Sequence, residues 1–399
     1  FKKNIPSFVS DLKLRYGWGQ TGNQEISNVG AYSIYVTDYN GTSYDIAGAN
    51  TGTLPSGYHI TQRGNDHLKW EATTMSNYGV DFGFWEQKLT GSFEYFMKKT
   101  SDILVLPPYI AVMGEAGNQW VNGASMENKG WELALTYNGQ VNEVEFQVSG
   151  NISGYKNKIT KLPESVVNNY GGNGLNDNIL GRPVNSYYGY VTDGLFRTQK
   201  DVDESARQLG KGLGRIRYKD LNSDGVIDDR DRTWIGTPHP DFIYGLNLAL
   251  QWRNFDFSAF FQGVQGNYVI NDVKYNTDFW SVRETGSNKG SRLLNAWSPQ
   301  NPNSSIPALS ATDDNFESRF STYFVERGDY LKLRNIQLGY NFSKQLLNRL
   351  SIQKLRVYVG GDNVWLLHKN KSFTGLDPEN PGFGYPNPAV FTGGVNVTF

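Results

Sequence analysis

The chain has 399 residues, with 44 Gly, 24 Tyr, 22 Phe and 10 Trp against 4 Met, a composition that favours strands and turns over helices. Its 38 Lys and Arg against 39 Asp and Glu leave a net charge of -1, which gives no basic footprint for nucleic acid, and with no Cys there is neither disulfide nor thiolate chemistry. Mean hydropathy is -0.52 and no apolar run reaches about 18 residues, which excludes membrane-spanning helices but not a β-barrel, where half of each strand faces a wet lumen.

In chain order, Leu12, Leu14, Tyr16 and Trp18 alternate with polar or small residues, the period-two signature of a strand with one apolar face. The strand is expected to dissolve into the segment TGNQ, with a long polar stretch to about Leu68. Tyr78, Val80, Phe82 and Phe84 then share a face opposite Asn77, Asp81 and Gly83. After a tight connection at Glu86 and Gln87 comes a return strand with Leu89, Phe93, Tyr95 and Met97 on one face. The pattern recurs at Trp131 to Tyr137, with a turn expected at Asn138 and Gly139, and at Val144 to Ile152. It recurs again at Phe242 to Trp252, through a turn at Arg253 and Asn254, into Phe255 to Phe261. Ile336 to Phe342 and Leu355 to Val359 form the next pair, and Val390 to Phe399 close the chain on an aromatic residue.

Alone, that last stretch also suits the final strand of a soluble sandwich. The order of the connections favours a barrel. They are short near 86, 140 and 253 and moderate near 348, but long over about 20–68, 100–127, 157–240, 268–327 and 367–389, an alternation expected when short turns are periplasmic and long loops extracellular. That parity gives about ten strands, each of about ten residues, and places Phe399 on the periplasmic, short-turn side. Trp85, Tyr95, Tyr137, Trp252, Phe255 and Phe342 sit at strand ends, as in an interfacial aromatic girdle.

One ligand motif stands out. Residues 220–231 place oxygen-bearing side chains at loop positions 1, 3, 5, 9 and 12, with Gly225 at the sharp sixth position. Asp220, Asn222, Asp224, the Val226 carbonyl, Asp228 and Asp231 match the six to eight oxygens that Ca²⁺ takes. The flanks GRIRYK and RTWIG read as strand or turn rather than EF-hand helices, so the loop is expected to hold a structural calcium of weak affinity, Kd about 10⁻⁴ to 10⁻³ M. No catalytic constellation is present. His59, His67, His239 and His368 are scattered over loops without zinc spacing, and are expected at the surface or rim. No nucleophile elbow or phosphate-binding glycine loop occurs.

These stretches resemble the SusC/RagA-type TonB-dependent transporters of the Bacteroidetes outer membrane. The resemblance rests on LKLRYGWGQTGNQ (12–24), LKWEATTMSNYGVDFGFWEQKLTGSFEYFMKKTSDIL (68–104), NKGWELALTYN (128–138) and GRPVNSYYGYVTDGLF (181–196). It continues through YKDLNSDGVIDDRDR (218–232), YLKLRNIQLGYNF (330–342), LRVYVGGDNVW (355–365) and the last strand. It implies an all-β fold, with residues 1–399 as the C-terminal part of a roughly 22-stranded transmembrane β-barrel and 157–240 as a long extracellular loop region around the calcium loop. The plug and first barrel strands are expected to lie outside this chain, which begins without Met.

The resemblance further implies import of glycans or peptides, not enzymatic activity, beneath a SusD-like surface lipoprotein and powered through TonB in the outer membrane of a Gram-negative bacterium. Asn77, Asp81, Glu94, Glu132, Gln147 and Asn247 are expected to line the lumen. Tyr187, Tyr188, Tyr190, Trp280 and Trp297 are candidates for stacking on substrate. The alternatives are a secreted, calcium-stabilised β-sandwich that binds glycans and an enzyme on a small, self-sufficient outer-membrane barrel.

Overall fold

The computed structural model describes residues 6–23, 25, 29–38, 57–107, 118–164, 178–279, 288–313, 315–348 and 352–399. Ten strands make one antiparallel sheet in simple chain order. They are β1 (Val9–Asn23), β2 (Glu71–Phe84), β3 (Leu89–Val105), β4 (Val121–Val141) and β5 (Val144–Lys161), then β6 (Phe242–Trp252), β7 (Phe255–Gln265), β8 (Tyr330–Asn341), β9 (Lys354–Lys369) and β10 (Val390–Thr398). Among the described residues, smaller sheets of two or three strands occur only in the long connections. A sandwich needs a second sheet packed on the apolar face, and the described residues contain none.

Register sorts the side chains onto two faces. One row runs Phe84, Leu89, Tyr137, Val148, Leu248, Ala259, Ile336, Gly361 and Phe391 across nine strands. A row on the opposite face runs Thr90, Thr136, Ser149, Asn247, Phe260, Asn335 and Asp362. The apolar face is left open, with Leu14 76% and Phe391 74% exposed. So much contiguous exposed apolar surface marks contact with something other than water. From Val141 to Trp131, ten residues of a strand rising about 3.3 Å each and tilted about 40° climb roughly 25 Å, the height of a barrel's apolar band.

The short connections all lie at one end. Trp85, Glu86 and Gln87 are left-handed, as are Asn142 and Arg253, each the first residue of a two-residue turn, which reverses the chain in register with the strand twist. The turn expected at Asn138 and Gly139 is displaced to Asn142 and Glu143. Gly139 is a strand residue, and the Phe146 ring lies where its Cβ would be. All the strands but β10, which has nine residues, are also longer than the ten residues expected, up to 21 in β4. β1 continues to Asn23, whose amide donates to Glu71, and the polar stretch after it contains strands Ile34–Asp38 and Gly57–Arg63.

Candidate functional site

The polar face carries charge in linked sets, and each draws on strands far apart in sequence. Arg15 of β1 donates through Nε and Nη2 to Asp81 of β2 at 2.8 and 2.7 Å, and Nη2 also reaches Glu94 of β3 at 2.7 Å. Asn77 donates to the other Glu94 oxygen at 2.9 Å. Nearer the short turns, Arg356 Nε donates to Asp256 at 2.9 Å, and its Nη2 donates to Gln337 at 2.7 Å. Glu132, directly opposite Glu94, is exposed. All six residues expected along the lumen, Asn77, Asp81, Glu94, Glu132, Gln147 and Asn247, lie on this face by register.

At the long-loop end, segments between β5 and β6, β7 and β8, and β9 and β10 pack into an assembly with its own core. Tyr190, Leu195, Ile216, Tyr218, Ile227, Tyr275, Phe279 and Phe324 are buried together. Tyr275 stacks on Phe324 with centroids 3.8 Å apart and planes within 7°. Helix α1 (Gln199–Glu204) starts on a reciprocal capping box between Thr198 and Asp201, which satisfies two otherwise orphaned amides, and the bond from the Thr198 amide holds the Asp201 carboxyl below its ordinary range. Buried Glu317 takes a bidentate fork from Arg215, 3.0 Å at each contact, yet burial lifts its carboxyl above the usual range.

Most candidate aromatic residues belong to this packing. Tyr190 is buried, donates to Asp229 at 3.0 Å, and is pushed up to about 12 by burial and that carboxylate. Tyr187 donates to the Tyr268 carbonyl and meets Phe320 edge-on, while Tyr188 lies 5.0 Å from Trp234. Trp297 packs against the buried core. Trp280 lies outside the described residues. None of the four described aromatics lines the cavity of about 410 Å³ in this assembly, which Lys274, Arg292, Glu326 and Arg327 help to form. There Lys274 lies 2.7 Å from Glu326, and burial holds its ammonium below the usual lysine range.

His239, expected at the surface or rim, is half-buried and bonded at both ring nitrogens. Its Nε2 meets the Val184 carbonyl at 2.9 Å, which makes that nitrogen the donor, and its Nδ1 faces the Tyr155 hydroxyl at 2.9 Å. The ring ties the loop assembly to β5.

The 220–231 loop folds into successive side-chain-to-backbone turns. Asp220 accepts from the Ser223 and Gly225 amides, Asp224 from Val226, and fully buried Asp231 from Leu221 and Asp228. Gly225 sits at φ +79, where a side chain would strain the backbone. Ile227 anchors the loop in the buried core. Arg230 then places its guanidinium 2.7 Å from both Asp224 and Asp228, and holds the Asp228 carboxyl below the ordinary range. Among the described residues no three acidic or histidine side chains converge as a metal cluster. The donor set is suited to a hard cation, but in this arrangement an internal guanidinium supplies part of the positive charge.

No family model matches the chain. It is 30% identical over 423 residues to the TonB-dependent receptor P26 of Formosa agariphila, covering 100% of this chain and 41% of that protein. It is also 30% identical over 420 residues to the TonB-dependent receptor SusC of Bacteroides thetaiotaomicron, covering 100% of this chain and 38% of SusC. The chain thus spans about two-fifths of the length of the curated relatives it matches. Among solved structures, the RagAB peptide transporter superposes with a TM-score of 0.77 at 24% identity, over 100% of this chain and 42% of its counterpart. The 'open-open' state of the RagAB peptide importer gives 0.75 at 25%, over 100% and 41%. Homology along the whole chain and a shared barrel fold lead to one assignment: the chain belongs to the SusC/RagA-type TonB-dependent receptors, as a ten-stranded part of their outer-membrane β-barrel.

Proposed function

We propose that this chain forms part of the lumen wall and the extracellular vestibule of a receptor that imports oligosaccharides or peptides across the outer membrane. The observation that carries the reading is the division of one ten-stranded sheet into an exposed apolar face and a charged, hydrogen-bonded face. A wall of that kind places lipid on one side and a wet path on the other. Long connections face outward from the cell and short turns face the periplasm. The first and last strands have one neighbour each within the sheet, and in a closed barrel their free edges pair with further strands of a roughly 22-stranded whole.

A SusD-like lipoprotein covers the vestibule, and TonB supplies the energy through a part of the receptor beyond this sheet. The chain acts by holding and passing substrate, not by bond chemistry. Calcium belongs to the same proposal: at millimolar extracellular concentration it displaces Arg230 from Asp224 and Asp228 and fastens the 220–231 loop. Each carboxylate oxygen has acceptor capacity beyond the one amide it takes, which supports that exchange.

The test is fractionation followed by uptake. The full receptor is expected in outer membranes, released by detergent together with a surface lipoprotein, and its deletion is expected to abolish TonB-dependent uptake of one oligosaccharide or peptide class. Recovery of native protein in the soluble fraction without detergent overturns the reading.

A further inference from the structure

The outer face changes character at the long-loop end of β3, β4 and β5. Tyr78, Tyr95 and Trp131 form a cross-strand aromatic row, as expected where a barrel leaves the hydrocarbon. Two residues beyond that row on the same face, Lys129 stands directly opposite Lys156. Four residues beyond it, Glu127 lies between Lys99 and Lys158. No register shift falls between the aromatic row and these positions, so the pleat keeps all of them on the lipid-facing side. The four lysines are exposed. Glu127 pairs with Lys129 at 2.6 Å, and Lys99, Lys156 and Lys158 form no ion pair with a described residue. Neighbouring β2 carries Ser76 and Thr74 at the same height, which confines the charge to three strands.

Like charges opposite one another weaken a sheet, and a lysine pair at Lys129 and Lys156 does nothing for the fold. Lysines on the outer wall just past an aromatic row sit at headgroup depth, where their alkyl stems lie along the acyl boundary and their ammonium groups reach the anionic layer. We propose that Lys99, Lys129, Lys156 and Lys158 form a binding site for the phosphate groups of outer-leaflet lipid. This rests on the reading of the long-loop end as extracellular.

The full receptor is reconstituted in nanodiscs of phosphatidylcholine with or without bisphosphorylated lipid A, and lipid A retained after exchange is quantified by native mass spectrometry. Wild type is expected to retain lipid A. Lys99→Gln, Lys156→Gln and Lys158→Gln combined are expected to lose it, by about fivefold per lysine removed. Lys200→Gln, on helix α1 of the loop assembly, is expected to behave as wild type. Equal retention by an inserted, heat-modifiable triple variant overturns the proposal, as does equal loss in Lys200→Gln. If the triple variant fails to insert, the wild type decides: release of lipid A in molar salt supports an electrostatic site, and retention overturns it. A wild-type receptor absent from membranes altogether instead sinks the barrel reading beneath it.

Discussion

The ammonium of Lys332, on the polar face of β8, lies 2.6 Å from the Asp377 carboxylate in the connection between β9 and β10. Glu379 closes the other side at 2.7 Å, and the Tyr330 hydroxyl and Arg334 also bind Glu379. The final long connection is therefore folded against the polar face of the sheet and latched by a lysine only 3% exposed. Removing the charge from such a pair strands its partners. Lys332→Met is expected to destabilise the latch by about 3 kcal/mol, enough to raise the open population of 370–389 roughly a hundredfold while the sheet persists. Limited trypsin cleavage at Lys371, compared with wild type, reads that opening.

Gly394 of β10 lies under the Tyr358 ring of β9, at a point where an added Cβ would come within 2.5 Å of the ring. Gly394→Val is expected to push Tyr358 out of place at a cost of about 1–3 kcal/mol. The penalty appears as a lower temperature for loss of the compact, heat-modifiable band on electrophoresis. Gly393→Ala, whose Cβ would come no nearer than 3.9 Å to the Tyr358 carbonyl, is expected to leave that temperature nearly unchanged.

Arg230 and calcium compete for the same carboxylates in the account proposed above. Arg230→Gln is therefore expected to tighten calcium binding severalfold. Asp220→Ala combined with Asp224→Ala is expected to abolish it, as read by isothermal titration and by elemental analysis of the purified receptor. Unchanged metal content across all three proteins removes calcium from the account.

The same pair sets a pH response. Arg230 lowers the folded-state pKa of Asp228, so the contribution is present above the ordinary carboxylate value of about 3.9 and is lost as pH falls through the lowered value. Local order at Asp228 and Arg230, followed by amide exchange, is expected to hold at pH 5 and to decline below about pH 4. Arg230→Gln moves that decline upward.

The strands were legible because alternation such as Leu12, Leu14, Tyr16 and Trp18 is a local property, and a barrel repeats it in every strand. Loop parity was legible for the same reason. What the sequence conceals is pairing at a distance. Arg15 and Asp81 are separated by 66 positions, and only the register of β1 on β2 brings the guanidinium to the carboxylate. Gly139 misled because a glycine under an aromatic ring and a glycine in a turn look alike in sequence. The stacking candidates Tyr187, Tyr188, Tyr190 and Trp297 looked free because their neighbours are distant in sequence: Phe320 comes from the β7–β8 connection, and Trp234 and Tyr218 lie far along the β5–β6 connection. In the 220–231 loop the spacing of oxygens was plain, but the reach of Arg230 back onto Asp224 and Asp228 was not.

The claim on which the rest depends is that one face of the sheet meets lipid and the other meets water. The chain has no cysteine, so single substitutions report one position each. Leu246→Cys and Asn247→Cys, adjacent on β6 and on opposite faces, are each introduced into the membrane-embedded receptor and exposed to a membrane-impermeant maleimide. The account predicts rapid labelling at position 247 and protection at 246, with protection lost once the receptor is denatured. Equal labelling at the two positions, or the reverse order, contradicts it.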